Sequence, residues 1–225
     1  MIFSRTHPKC REQYLFLDSG DLDPNYFYQA VVGLEKKFTA SRIIQDNYET
    51  STDELIRCST TLNDRYLVDA LAEPIRSLVA KNHELILSQL GIEPFTPGIT
   101  QVSCVAFCDG DFFKAHKDGL DNMIHRRRYT WVYYFHRNPQ AFNRGELLFY
   151  DQDQVSAEIK PESGALIVFP ADVVHEVTAV EVPSKSFLDA RFTITGFVCK
   201  KATITHRIKS KIARTCRSRL ARLSR

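Results

Sequence analysis

From about residue 99 the apolar residues stop recurring every three or four positions and begin to alternate, and this change of period constrains the fold more than any other feature of the chain. Upstream, Asp23 before Pro24 offers a capping residue and a proline at the first helical position, and Tyr28, Val31, Val32, Leu34 and Phe38 form an apolar stripe, so a helix is expected to about residue 38. A second helical stretch is expected from about Leu62 to Leu90, with Leu67, Leu71, Ile75, Leu78, Val79, Leu85 and Ile86 at helical spacing, Pro74 as a kink or break, and Gly91 as its end. Downstream, QVSCVAF, FFKAH, YTWVYYF, ELLFY, VSAEI, GALIVF, VVHEV and FTITGFV read as eight short strands separated by Asp, Gly and Pro. Helices first and strands afterwards give an α+β chain, a sandwich or open barrel with helices covering one outer face. Helical support is expected over 1–98, the β core over 99–199, and a basic tail, helical by its spacing, over 200–225.

Composition narrows the class. The 225 residues are 44% hydrophobic and 25% charged, which fits one globular domain and excludes collagenous or wholly disordered readings. The opening MIFSRTHPKC has charges and a proline where a secretory signal needs an apolar stretch, and no run of about 18 apolar residues occurs, so a soluble, unprocessed, cytoplasmic protein is expected. The six cysteines form no CxxC pair and no dense framework, and are read as reduced thiols. The net charge of +3 hides an asymmetry: residues 200–225 hold 10 of the 30 Lys and Arg and no acid, which leaves 20 basic against 27 acidic residues in 1–199.

The chemistry concentrates in FFKAHKDG, where His116 and Asp118 lie two apart and so share one side of an extended strand. With 7 His in the chain, roughly 0.5 such pairs arise by chance, so this pair alone is equally an exposed strand end. His175 in FPADVVHEVTAV adds a third ligand candidate, although a lone strand histidine is the plainer reading of it. Two histidines and one carboxylate form the facial triad of non-haem Fe(II) oxygenases, with coordination positions left open for a cosubstrate and dioxygen. Arg191, Thr193 and Thr195 in ARFTITGF fall on one strand face. An arginine turned into a barrel is costly without an anionic partner, and a bound carboxylate would be one; turned outward, it would be a surface ion-pair residue.

With these blocks in order, CDGDFFKAHKD, RRRYTWVYYFHR, RGELLFYD, GALIVFPADVVHEVTAV and ARFTITGF, the stretch 99–198 resembles the Fe(II)/2-oxoglutarate-dependent dioxygenase superfamily, in its prolyl-hydroxylase-like branch. The resemblance implies a double-stranded β-helix, a jelly-roll of the cupin-like kind. It also implies that His116, Asp118 and His175 hold Fe(II), that Arg191 pairs with the distal carboxylate of 2-oxoglutarate, and that Tyr134 and Thr193 lie beside it. The implied reaction consumes O2 and 2-oxoglutarate, hydroxylates an unactivated carbon and releases succinate and CO2, with ascorbate as an accessory reductant. Prolyl or other peptidyl residues are the implied substrates. A free amino acid or natural-product intermediate is the alternative, and a cupin-like metalloenzyme without an oxo acid or a non-catalytic β-barrel binding module are the competitors. His175 and Arg191 are 16 positions apart, wider than the family spacing; a longer hairpin accounts for this, with Lys185 as the substitute cation if Arg191 fails.

Other features are read as structural. His125 and His136 have no carboxylate at ligand spacing, and Arg126, Arg127 and Arg128 are read as a solvated loop end. Residues 119–128 are a lid candidate. In the tail, Ile204, Ile208, Ile212, Cys216 and Leu220 recur every four positions as a narrow stripe on a basic helix, for which docking on the acidic body or partial disorder is expected, with an anionic membrane or another acidic partner as the alternatives; a nucleic-acid partner is not expected.

Overall fold

The computed structural model describes residues 13–44, 50–119 and 127–201. His125, Arg126, most of the lid candidate and the repeat of the basic tail lie outside these residues. The chain runs β1 (Leu15–Leu17), α1 (Pro24–Val32), a 3-10 turn (Glu35–Lys37), β2 (Phe38–Ala40), β3 (Ile43–Ile44), β4 (Thr50–Ser51), β5 (Arg57–Cys58) and β6 (Thr60–Leu62). Two helices follow, α2 (Arg65–Lys81) and α3 (His83–Gln89). The rest is strand: β7 (Pro97–Phe107), β8 (Phe112–His116), β9 (Arg127–Phe135), β10 (Asn143–Arg144), β11 (Leu147–Asp151), β12 (Gln154–Ile159), β13 (Leu166–Pro170), β14 (His175–Val177), β15 (Val180–Glu181) and β16 (Arg191–Lys200).

Two antiparallel sheets face each other, one of seven strands in the order β1-β13-β9-β16-β7-β6-β2 and one of five in the order β12-β11-β14-β8-β5. Their connections give the double-stranded β-helix. Period-two alternation separates two cores. Trp131, Tyr133, Phe135, Phe192 and Ile194 turn outward from the larger sheet and pack with Phe27 and Val31 of α1 and Leu71, Ile75 and Val79 of α2. The alternate residues Val132, Tyr134, Val105 and Phe107 turn inward and meet Leu147, Phe149, Phe169 and Val177. The helices therefore brace one sheet from outside and leave the space between the sheets free for a site.

All eight strands expected downstream of residue 99 are present, together with the short pair β10 and β15. Upstream the structure corrects the mainly helical expectation. The first helix stops at Val32, and residues 38–62 contain strands that join both sheets: β2 and β6 extend the larger one beside β7, and β5 extends the smaller one beside β8. These strands are only two or three residues long, too short for a period to show. In the second helical stretch Pro74 causes no break. Pro74 and Ala70 are both exposed, so the carbonyl that loses its amide partner faces water. The interruption comes at Asn82, whose side-chain amide donates to the Leu78 carbonyl at 2.9 Å and ends α2.

Gly196 shows how closely the braced face is packed. A Cβ added there would lie 2.1 Å from the Trp131 ring, which crosses this gap in β16. Gly196→Val is expected to destabilise the fold by at least about 1–3 kcal/mol, as overpacking of a filled core does, and urea denaturation of the variant measures it.

Candidate active site

The smaller sheet brings the three ligand candidates together. His116 ends β8, His175 begins β14, and the antiparallel register places them directly opposite each other. Asp118 lies two residues past His116, where the chain leaves the strand. His116 Nε2 is 3.6 Å from Asp118 Oδ1, His175 Nε2 is 3.5 Å from Asp118 Oδ2, and one donor atom from each residue fits within a 4.8 Å span. Two imidazole nitrogens and a carboxylate oxygen at these separations are a donor set that one divalent ion can bridge.

Each donor is oriented by a second contact. His175 Nδ1 donates to the Val173 carbonyl at 3.0 Å and His116 Nδ1 to the Lys114 carbonyl at 2.7 Å, since a carbonyl can only accept. Both hydrogen bonds leave the Nε2 lone pairs facing the shared point. Thr130 Oγ1 donates to Asp118 Oδ2 at 2.7 Å, and Arg127 reaches the Asp118 backbone carbonyl at 3.2 Å. Burial opposes the charge on Asp118, but His175, His116 and the Thr130 hydrogen bond outweigh it and hold the carboxyl well below the usual carboxylate range. Burial, helped by His116 and opposed by Asp118, lowers His175 to about 4, so its imidazole is neutral near pH 7, the form that binds metal.

These residues open on a cavity of about 340 Å³ between the sheets, which Arg191, Tyr134, Thr193 and Thr195 line from the larger one. Arg191 is 2% exposed, and its Nε and Nη1 have no hydrogen-bond partner. Its guanidinium lies over the Tyr134 ring at 4.9 Å and the Phe107 ring at 4.8 Å. Burial lowers its pKa, while Tyr134 and Glu146 oppose the shift. The Tyr134 hydroxyl is likewise buried and unpartnered. A buried guanidinium with two unpaired nitrogens beside a buried hydroxyl offers donors that a ligand's acceptors would satisfy.

The structure thus collects His116, Asp118, His175, Arg191, Tyr134 and Thr193 around one cavity. Lys185 is exposed on a turn at φ +56° and is not among the residues that line this cavity. The wide spacing before Arg191 is taken up by β15 and a 3-10 turn at Phe187–Asp189. His136 is buried, with Nδ1 hydrogen-bonded to the Arg137 carbonyl at 2.8 Å, and it takes no part in the donor set. Arg127 is not a solvated loop residue: it holds Gln101 Oε1 through Nε and Nη2 and covers the Phe197 ring at 3.7 Å. Sequence reasoning missed Thr130, although its alternation with Tyr134 on β9 placed it inside. It also missed Gly145, at φ +76°, where a Cβ would fall 2.9 Å from Arg191 Cδ. The glycine keeps room for the arginine stem.

A double-stranded β-helix whose paired strand ends converge two histidines and an aspartate defines a class of non-haem metal enzymes. Residues 100–199 match the model of the 2OG-Fe(II) oxygenase superfamily. An uncharacterized PKHD-type hydroxylase of Synechocystis is 32% identical over 143 residues, which cover 60% of this chain and 47% of that protein. The chain thus spans about half the length of this curated relative. Among solved structures, a prolyl-4-hydroxylase of Pseudomonas putida aligns over 84% of this chain and 94% of its own, with a TM-score of 0.57 and 18% identity. A prolyl hydroxylase of Trichoplax adhaerens, in complex with a hypoxia inducible factor peptide fragment, covers 84% of both chains with a TM-score of 0.63 and 17% identity. At these identities the structures testify to the fold. The family implies Fe(II), 2-oxoglutarate and O2. Among the described residues no helix is long and apolar enough to cross a membrane.

Two outcomes follow from this geometry. Thr130→Val keeps the shape but removes the hydrogen bond to Asp118, and is expected to weaken Mn(II) binding by about tenfold, read by calorimetric titration. Free of metal, the unfolded His175 imidazole takes up a proton near pH 6.5 and the folded one near 4. The unfolded chain therefore binds more protons across that window, and stability drops as the pH falls through it. Urea midpoints measured over this range are expected to decline, and His175→Leu to flatten the decline.

Proposed function

We propose that this protein is an Fe(II)- and 2-oxoglutarate-dependent dioxygenase that hydroxylates an unactivated carbon, with a prolyl or other peptidyl residue as substrate. The observation that carries the proposal is the pairing, in one cavity, of a preoriented His116, Asp118 and His175 set with the buried cation Arg191, whose Nε and Nη1 lack hydrogen-bond partners. A structural metal site would need no such cation, and a cupin-like enzyme without an oxo acid would have no use for it. The kinship with prolyl hydroxylases supports the peptidyl substrate.

His116, Asp118 and His175 would hold the ion, and Arg191, with Tyr134 and Thr193 beside it, would take the far carboxylate of 2-oxoglutarate. When bound, the iron supplies the reaction in which one oxygen atom of O2 enters the substrate C–H bond and the other enters succinate as CO2 leaves. The chain's own part is positional. Arg191 and the donor set lie on facing sheets and fix the two ends of the dicarboxylate, which turns encounters between reactants into one oriented complex. Phe107, Phe169 and Val177 line the space between them and exclude water. Ascorbate, as a reductant of the iron, belongs to the same reading. So does a cytoplasmic location, which the free thiols of Cys58, Cys104, Cys108 and Cys199 support.

Succinate release from 2-oxoglutarate under anaerobic Fe(II) loading and subsequent air exposure tests the proposal. His116→Ala is expected to abolish it. Arg191→Gln is expected to raise the KM for 2-oxoglutarate by about 10-fold or more, the scale of a lost charged hydrogen-bond pair, and an unchanged KM would remove Arg191 from this role.

A further inference from the structure

The two histidines of the donor set are held very differently. His175 is packed inside, with Phe169 at 4.7 Å and Phe149 at 6.4 Å between ring centroids. His116 stands at a strand end between the exposed residues Ala115 and Lys117. Beyond His175 itself, the ring in contact with it among the described residues is Phe113, stacked at 3.5 Å between centroids and 19° between planes. In a regular strand, residues three apart face opposite sides. The β8–β14 ladder pairs His175 with His116 and Val177 with Phe113, so two steps on β14 match three on β8. The extra residue is a bulge, and it brings Phe113 round to the side of His116. The Phe113 ring is fixed in turn: the Arg57 guanidinium lies over it at 4.7 Å, and Arg57 Nε is tied to Ser59 Oγ at 2.8 Å. At 3.5 Å between centroids the two near-parallel rings lie face to face with almost no offset, so the Phe113 face limits how far the imidazole can tilt, and a cation over the Phe113 ring is itself an attractive arrangement.

We propose that Phe113 is a positioning residue of the metal site, whose ring, seated under Arg57, holds the His116 imidazole at the angle that aims Nε2 toward Asp118 and His175. The inference rests on the assignment of the His–Asp–His set as ligands. Phe113 needs no contact with metal or substrate for this role. Its effect falls on how much of the time His116 is oriented to bind, because the Lys114 carbonyl hydrogen bond constrains the ring through one atom only.

The test is equilibrium binding of Mn(II) to the metal-free protein, followed by the loss of the free-ion signal in electron paramagnetic resonance, with circular dichroism to verify folding. Phe113→Ala is expected to weaken binding by about tenfold, within the range seen when ligand-orienting groups are removed. Phe113→Leu, which keeps most of the volume without a ring face, is expected to weaken it as well. Phe113→Tyr is expected to restore it. A folded Phe113→Ala or Phe113→Leu protein that binds Mn(II) within twofold of the wild type would overturn the proposal, as would a Phe113→Tyr protein as weak as Phe113→Leu. Failure of the ligand assignment looks different, since His116→Ala would then bind Mn(II) as the wild type does.

Discussion

The pairing of β8 with β14 is the contact on which the site depends. It joins two strands from distant parts of the chain end to end, so that His116 and His175 face each other across one rung. Asp118 joins them because the chain leaves β8 just past His116, at Gly119, whose amide donates to the Ala171 carbonyl at the entry to β14. A ladder shifted by one residue would send one histidine to the outer face of the sheet. The register is held by the strands on either side, β11 beside β14 and β5 beside β8. Four strands therefore fix one point in space. That explains how His116, Asp118 and His175, separated by so much sequence, come to one point.

Electrostatics then give the cavity its preference. Asp118 is the only carboxylate among its described lining residues, against Arg42, Arg57 and Arg191. Its single charge is shared with two histidines that are neutral when they bind metal, so a divalent ion there would leave the cavity strongly positive. Arg191 adds a buried cation that its rings cover but do not neutralise. Keeping an ionised group out of water costs several kcal/mol unless it is paired, and a dianionic ligand spanning the two sheets would pair both ends at once. The same cost explains why the seat of Arg191 is so specific. Gly145 gives it room on one side and the aromatic faces of Tyr134 and Phe107 on the others.

What could be read from the sequence follows the physics of the signal. The β core was legible because its strands are long enough to alternate: Arg191, Thr193 and Thr195 face the cavity while Phe192 and Ile194 face the helices, as their spacing required. The convergence of His116, Asp118, His175 and Arg191 on one cavity was legible because their residue types are costly to place inside without a purpose. The strands over 38–62 were not, since two or three residues carry no period. The Phe113–His116 stack was hidden for a different reason: strict alternation places them on opposite faces, and only the bulge in the ladder reverses that. Thr130 lay between these cases, visible by its alternation with Tyr134 but indistinguishable by type from any other strand threonine.

This division within the chain bears on where selectivity resides. His116, Asp118, His175, Arg191 and the rings around it all fall within residues 100–199, the part that matches the superfamily. The exposed rim of the same cavity is built by Thr39, Arg42 and Asn63, together with the half-buried Arg57, all from the earlier segment. Those strands are attached to the sheets by only a few rungs each, β2 to β6 by three and β5 to β8 by two. Residues on β2 and β6 can change without touching the β8–β14 register that sets His116 opposite His175, whereas Arg57 on β5 is tied to it through Phe113. The candidate reacting groups thus sit on strands of residues 100–199, while the exposed rim comes from the earlier segment, and two proteins of this fold can share every reacting group yet admit different molecules.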